Sequence, residues 1–238
     1  MVAFQALNWE SRDVDEEYLI SIFGRTSDGK SVCVTTPFKP YFFIKLPKNS
    51  SDMSVNTLWN KLTGPTSYEL LRSKDIWGFQ NNEKFPFMKL NFDSLEAMRK
   101  CDYQLRKPLR DETHPRQVFE SNLDPVLRFM HRTGIKSTGW LETGQGCVRA
   151  NLSRCDIDLW CGDWKTLKPL DSEKVAPFVV MSFDIETYSS TGKFPSADEK
   201  GDAVFQVGFT LKRMGESEIY ERVCLCFKNT DQPPNGSV

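Results

Sequence analysis

The run Phe178-Val179-Val180-Met181-Ser182-Phe183-Asp184-Ile185-Glu186-Thr187 restricts this chain more than any other stretch. Its β-branched and aromatic content reads as a strand. Along a strand alternate residues share a face, so Asp184 and Glu186 project together while Phe183 and Ile185 point the other way, into a core. Two carboxylates aimed at one point are hard oxygen ligands suited to Mg²⁺ or Mn²⁺. A pair of such ions can activate a water and stabilise the leaving oxygen of a phosphodiester. An Asp-x-Glu at a strand end also arises by chance, so the reading depends on its surroundings.

Downstream come Tyr188-Ser189-Ser190-Thr191-Gly192-Lys193-Phe194-Pro195, a polar loop punctuated by Gly and Pro, and then Asp202-Ala203-Val204-Phe205-Gln206-Val207-Gly208. This order and spacing resembles the first exonuclease motif of the family B (delta-like) DNA polymerases. The resemblance extends upstream through Trp77-Gly78-Phe79, Val118-Phe119-Glu120-Ser121-Asn122-Leu123-Asp124-Pro125 and Phe4-Gln5-Ala6-Leu7-Asn8-Trp9, so it covers nearly the whole chain. The wording of Ile22-Phe23-Gly24-Arg25-Thr26 and Pro40-Tyr41-Phe42-Phe43-Ile44-Lys45-Leu46-Pro47 is most similar to the polymerases of large nucleocytoplasmic, algal-type DNA viruses.

Composition is compatible with that reading. With 238 residues and 39% hydrophobic content, the chain can bury one large or two modest cores. No apolar run reaches the ~20 residues that span a bilayer, and the N-terminus lacks a basic-then-apolar pattern, so no membrane partner and an intracellular location are expected. Seven cysteines without a Cys-x-x-Cys pair read as reduced structural thiols rather than zinc ligands or disulfides. His114 and His131 have no companions that suggest a ligand cluster or a triad. A formal net charge of −1 means that any nucleic-acid contact is local. The best candidate is the basic stretch from Arg99 to Arg116, with Arg106, Lys107 and Arg110 at its centre, although a solvated charged face is the more common outcome.

The pattern along the chain predicts an α+β, mixed fold. Runs at 2–9, 17–23, 31–36 and 41–46 read as a β meander, with turn chemistry at Thr26-Ser27-Asp28-Gly29 and Pro37-Phe38-Lys39-Pro40. A helix is expected over Ser54 to Leu62, closed by Gly64-Pro65, with Val55, Leu58, Trp59 and Leu62 on one face. Met88 to Phe92 reads as a strand, and Asp93 with Glu96 as a capping-box start to a helix ending at Leu105. Asp124-Pro125 starts a short helix that Gly134 stops. Further strands are expected at 147–152 and 157–161. The runs 178–185, 204–212 and 219–227 form an antiparallel trio, and 231–236 is a turn or frayed end.

The resemblance implies more than these residues show. It implies a β-rich N-terminal domain over 1–138 and, over 139–238, the first, antiparallel part of an RNase H-like 3′–5′ exonuclease domain, truncated. Asp184 and Glu186 become catalytic and metal ligands, Asp184 to both of two Mg²⁺ (or Mn²⁺) ions and Glu186 to one. Thr187, Tyr188 and Phe194 stand where the family contacts the primer end. The implied partners are template and 3′ primer-end DNA, the remainder of a polymerase chain, and a sliding clamp reached through that remainder. The implied location is the host nucleus or a cytoplasmic viral replication site. The remaining exonuclease carboxylates and the palm motifs of synthesis are expected beyond Val238, so the isolated chain is expected to be inactive.

Two alternatives stand beside this one. A stand-alone RNase H-like exonuclease would need its other carboxylates among Asp198, Glu199, Asp202, Glu216, Glu218, Glu221 and Asp231, none of which has the expected motif around it. A non-catalytic nucleic-acid-binding or assembly module would use the N-terminal β domain.

Overall fold

A computed structural model describes residues 1–76, 78–109 and 116–227. Trp77, Arg110, His114 and the expected turn at 231–236 lie outside the described residues. Packing divides the chain into two compact units. The first is Met1–Gly24 with Lys30–Ser172, and the second is Arg25–Gly29 with Glu173–Val238.

The first unit opens with strands β1 (Ala3–Val14), β2 (Glu17–Arg25), β3 (Ser31–Pro37) and β4 (Tyr41–Lys45). Helix α1 (Asp52–Lys61), strands β5 (Ser67–Ser73) and β6 (Phe85–Asn91), and helix α2 (Leu95–Leu105) follow. Next come β7 (Val118–Phe119), α3 (Pro125–Thr133), β8 (Trp140–Glu142), β9 (Val148–Arg149), β10 (Ile157–Trp160) and β11 (Lys168–Leu170).

The expected four-stranded meander is only three strands long. β1, β2 and β3 are neighbours in a seven-stranded sheet of order β11-β8-β1-β2-β3-β10-β9, whereas β4 lies in a separate sheet of order β5-β6-β4-β7. The segment Pro37-Phe38-Lys39-Pro40 makes the switch, because two prolines within four residues remove the amide donors that would continue the ladder. Distant segments complete the first sheet. Phe4 pairs with Leu141, and Val32 pairs in parallel with Ile157. The second sheet with α1 and α2 makes a β-α-β-β-α-β unit, the split βαβ arrangement, with all its ladders antiparallel.

Alternation along the strands builds two cores. Phe4, Ile20, Ile22, Val32, Val34, Phe129 and Leu141 are buried in one. Phe42, Ile44, Met88, Leu90 and Phe92 meet Val55, Leu58, Met98, Cys101 and Leu105 of the helices in the other. The cap of α2 differs from expectation by one residue. Ser94 is the N-cap, accepting from the Ala97 amide at 3.1 Å, while Asp93 is drawn into an ion pair with Lys39 at 2.7 Å. The first-turn amides of Leu95 and Glu96 are taken instead by the Asp13 carboxylate at 2.9 and 3.0 Å. Asp124 and Pro125 start α3 as expected, and Gly134 ends it at φ 73°, a left-handed conformation that glycine adopts without a Cβ penalty.

Cys147 and Cys161 form a disulfide, contrary to the reading of all seven cysteines as thiols. Spacing alone does not reveal it. The antiparallel pairing of Trp160 with Val148 sets the two flanking cysteines side by side, with Cα atoms 4.3 Å apart.

In the second unit β12 (Val179–Tyr188), β13 (Ala203–Arg213) and β14 (Ile219–Cys226) form the expected antiparallel trio. Phe183 and Ile185, expected in a core, are 67% and 47% exposed. The reason is a missing layer. Among the described residues this unit holds three strands and no helix, so no second layer of its own described residues packs on the apolar face carrying Met181, Phe183, Ile185, Val207, Phe209 and Leu225.

β8 to β10 and β11 hydrogen-bond into the first sheet, and the packing divides after Ser172. Residues 171–178 carry no regular structure, and Asp171 to Val175 are exposed. Trypsin is therefore expected to cut near Lys174, leaving a resistant piece from about Met1 to Ser172 while the three-stranded unit is digested faster. Mass spectrometry of the time course checks this, and loss of both halves at one rate would contradict it.

Candidate functional site

The ladder of β12 with β13 is regular from Val179 to Glu186 and breaks between Glu186 and Thr187, where Thr187 pairs with Val204 and Phe205 is passed over. Asp184, Ile185 and Glu186 sit in its last three regular pairs, opposite Gly208, Val207 and Gln206. Strand alternation therefore places both carboxylates on one face, immediately before a bulge that re-aims the chain. Both are exposed. β12 is an edge strand, and the Ile185 amide donates to Asp184 Oδ1 at 2.9 Å, which holds that carboxylate close to its own backbone.

The pairing continues across β14, giving two transverse rows on the carboxylate face. One runs Asp184, Gly208, Cys224; the other runs Glu186, Gln206, Cys226. A Cβ added at Gly208 would meet nothing within 4 Å, so the space beside Asp184 is open. Gln206 Nε2 donates to Cys226 Sγ at 3.4 Å. Gln206, Gly208 and the two cysteines gained no role from sequence reasoning, because membership of this face depends on strand register, which motif spacing does not report.

Asp202 heads the run 202–208 of the motif. Its carboxylate closes the loop after β12, accepting from the Ser190 amide at 2.8 Å, Ser190 Oγ at 3.0 Å and the Ser196 amide at 3.0 Å. A Cβ at Gly201 would run into the Ser190 side chain, so the loop closes too tightly there for any larger residue. The amide of Ser196, followed by that of Ser190, holds the Asp202 carboxyl below its ordinary value of 3.8. A depressed folded-state value means that this tie is fully present above 3.8 and is lost as pH falls through the lower folded value. Protection factors of the Ser190 and Ser196 amides are thus expected to fall only below pH 3.8 in the native chain. In Asp202→Ala they should be low at every pH. Protection that survives the substitution would remove Asp202 from this role.

The other sequence-predicted residues fall in two places. Thr187, Tyr188 and Phe194 follow the carboxylates, with Tyr188 60% and Phe194 95% exposed. Arg106 and Lys107 are in the first unit, at the end of α2. Arg106 Nε pairs with Asp102 at 2.8 Å, and Lys107 Nζ contacts the Tyr103 hydroxyl at 3.0 Å. Both cations are thus engaged within their own helix turn. Arg110 lies outside the described residues. Among the described residues no group of three His, Cys, Asp or Glu side chains is gathered for a metal, so Asp184 and Glu186 stand as a pair.

The sequence profile of the "DNA polymerase family B, exonuclease domain" matches residues 116–237, which include all of β12, β13 and β14. The chain belongs to the family B DNA polymerases. It is 31% identical to a DNA polymerase of Paramecium bursaria Chlorella virus NY2A over 96% of its own length. It is 30% identical to a DNA polymerase of Acanthamoeba polyphaga mimivirus and 28% identical to the DNA polymerase delta catalytic subunit of Schizosaccharomyces pombe, over 94% and 97% of its length. It spans only 25%, 15% and 23% of these relatives. The fold agrees with that of the family B DNA polymerase from the archaeon Pyrobaculum calidifontis, at a TM-score of 0.69 and 18% identity over 97% of this chain and 27% of that one. In family B terms, the three strands fall within the exonuclease domain, whose match begins upstream at residue 116.

Proposed function

We propose that this chain is the N-terminal part of a replicative DNA-directed DNA polymerase and that Asp184 and Glu186 belong to its 3′–5′ proofreading site. The observation that carries the reading is the register. It puts two exposed carboxylates on one face, beside open space at Gly208, within the stretch matched to the exonuclease domain.

These donors fit a divalent cation. Both are hard, solvent-accessible oxygens, and no lysine or arginine lies opposite either one in the ladder to neutralise it. Asp184 and Glu186 would hold Mg²⁺ or Mn²⁺, with Asp184 shared between two ions, and the metal would supply charge stabilisation at the scissile phosphate. The chain's own part is positional. The Ile185 amide fixes Asp184, the bulge turns Thr187 and Tyr188 away from the regular ladder, and the Asp202-tied loop presents Phe194 to solvent as a stacking surface for a single-stranded 3′ end.

We place the start of the exonuclease sheet just after Ser172, where the packing divides. The first unit then serves as the N-terminal domain on the template side, with Arg106, Lys107 and Arg110 as its phosphate contacts. The remaining partners of this reading are the rest of the polymerase chain, a sliding clamp engaged through it, and a site of replication in the host nucleus or in a cytoplasmic viral compartment. The test is metal-dependent 3′–5′ degradation of single-stranded DNA by the complete polymerase, measured before and after removal of Asp184 and Glu186. Degradation that does not respond to their loss would refute the assignment.

A further inference from the structure

We propose that Cys224 and Cys226 form a two-thiolate site for a thiophilic divalent cation of the zinc class, on the same sheet face as the carboxylates and independent of them. Both thiols are exposed on β14, and their Sγ atoms are 3.8 Å apart. Two thiolates on one tetrahedral zinc, with Zn–S about 2.3 Å, are separated by about 3.8 Å, so the pair is already set at the bite of the ion.

Strand geometry explains why this pair chelates rather than closing on itself. Residues two apart on an extended strand have Cα atoms about 6.5–7 Å apart, at or beyond the upper limit for a disulfide. Their sulfurs can lean together, but a bond between them would require the strand to buckle. The ladder to β13 resists that, because both cysteines are in regular register, opposite Gly208 and Gln206. The neighbouring row supplies room and a polar companion. Gly208 projects no side chain beside Cys224, and the Gln206 amide donates to Cys226 Sγ at 3.4 Å. Soft sulfur ligands select Zn²⁺ over Mg²⁺, whereas Asp184 and Glu186 have the opposite preference, so one face carries two sites of different chemistry.

The other cysteines do not offer this arrangement. Cys147 and Cys161 are joined, Cys33 and Cys101 are buried, and Cys155 is partly buried in the first unit. Binding exchanges two S–H protons for two metal–sulfur bonds, with the protons released to solvent and no change of oxidation state.

The experiment uses the 238-residue chain, held under argon without reductant, with the Cys147–Cys161 disulfide verified intact by peptide mass, and titrated with Cd²⁺ as a spectroscopic stand-in for Zn²⁺. The expected result is one ion per chain, seen as a thiolate-to-cadmium charge-transfer band that excess Mg²⁺ does not displace and Zn²⁺ does. In the same samples Cys224 and Cys226 should become protected from alkylation by peptide mass. Either Cys224→Ser or Cys226→Ser should weaken binding by more than the roughly 10–100-fold that loss of an outer-shell partner costs, while Cys155→Ser leaves it unchanged. Circular dichroism confirms that the variants keep their strands, and the alkylation readout needs no variant at all. A band that survives both serine substitutions, protection centred on Cys155, displacement by Mg²⁺, or no binding would each overturn the proposal.

Discussion

Replacing Asp184 and Glu186 by alanine in the complete polymerase is expected to abolish 3′–5′ degradation of a mismatched primer end while leaving nucleotide incorporation near its native rate. A carboxylate that holds charge and geometry in place before reaction acts mainly on the transition state. Losing one is expected to cost roughly 10²–10³-fold, the scale seen when a single preorganised electrostatic group is removed. With both gone, no carboxylate of this strand remains for the cation. On the proposed reading the two activities separate because synthesis would depend on carboxylates other than Asp184 and Glu186. Single-turnover excision and primer extension on one DNA preparation measure both rates. Equal loss of the two with the fold intact would mean that the strand has a structural role instead. The isolated chain is expected to show at most trace degradation, since two oxygens leave most of a hard cation's coordination to water.

The largest expected effect on stability is at Phe129. Its ring is fully buried and lies 5.9 Å from Trp9, 5.6 Å from Phe38 and 5.9 Å from Trp164, so it anchors α3 in the first core, where Val126 packs beside it. Phe129→Ala removes those edge contacts and leaves a cavity among rigid aromatics that cannot collapse to fill it. The expected cost is about 3–5 kcal/mol. Against a domain stability of about 5–15 kcal/mol, that is enough to bring the first unit close to its unfolding midpoint. Urea unfolding followed by tryptophan fluorescence is suited to the measurement, because Trp9 and Trp164 report on the same cluster. The midpoint should fall with little change in slope. A shift worth less than about 1 kcal/mol would show that the site repacks, as only a plastic core can.

Much of the local structure is legible in the residues themselves. Asp124-Pro125 and Gly134 delimit α3 because an N-cap acceptor, a first-turn proline and a left-handed glycine each act within a few residues of where they stand. The common face of Asp184 and Glu186 is likewise local, since alternation follows from strand geometry alone. The family reading rests on the same kind of information, motifs whose order survives in the linear chain.

Other features are decided between segments far apart in sequence. β4 leaves the meander because its ladder partners, β6 and β7, are supplied more than 40 and 70 residues later, and nothing in the Tyr41–Lys45 run announces them. Cys147 meets Cys161 only because β9 pairs with β10. Asp202 becomes a loop clasp only once β12 and β13 are zipped together.

Phe183 and Ile185 show the limit most directly. Their direction is set by alternation, but burial needs a second layer, and no residue of β12 can provide one. The sequence by itself determined the three helices, the longer strands other than β5, and the placing of two carboxylates on one strand face, but not β5, β8 or β11. Only the tertiary structure decided which strands became neighbours, and so which side chains share a row with those carboxylates, because hydrogen-bond partners in a sheet are chosen by non-local closure rather than by the residues that display them.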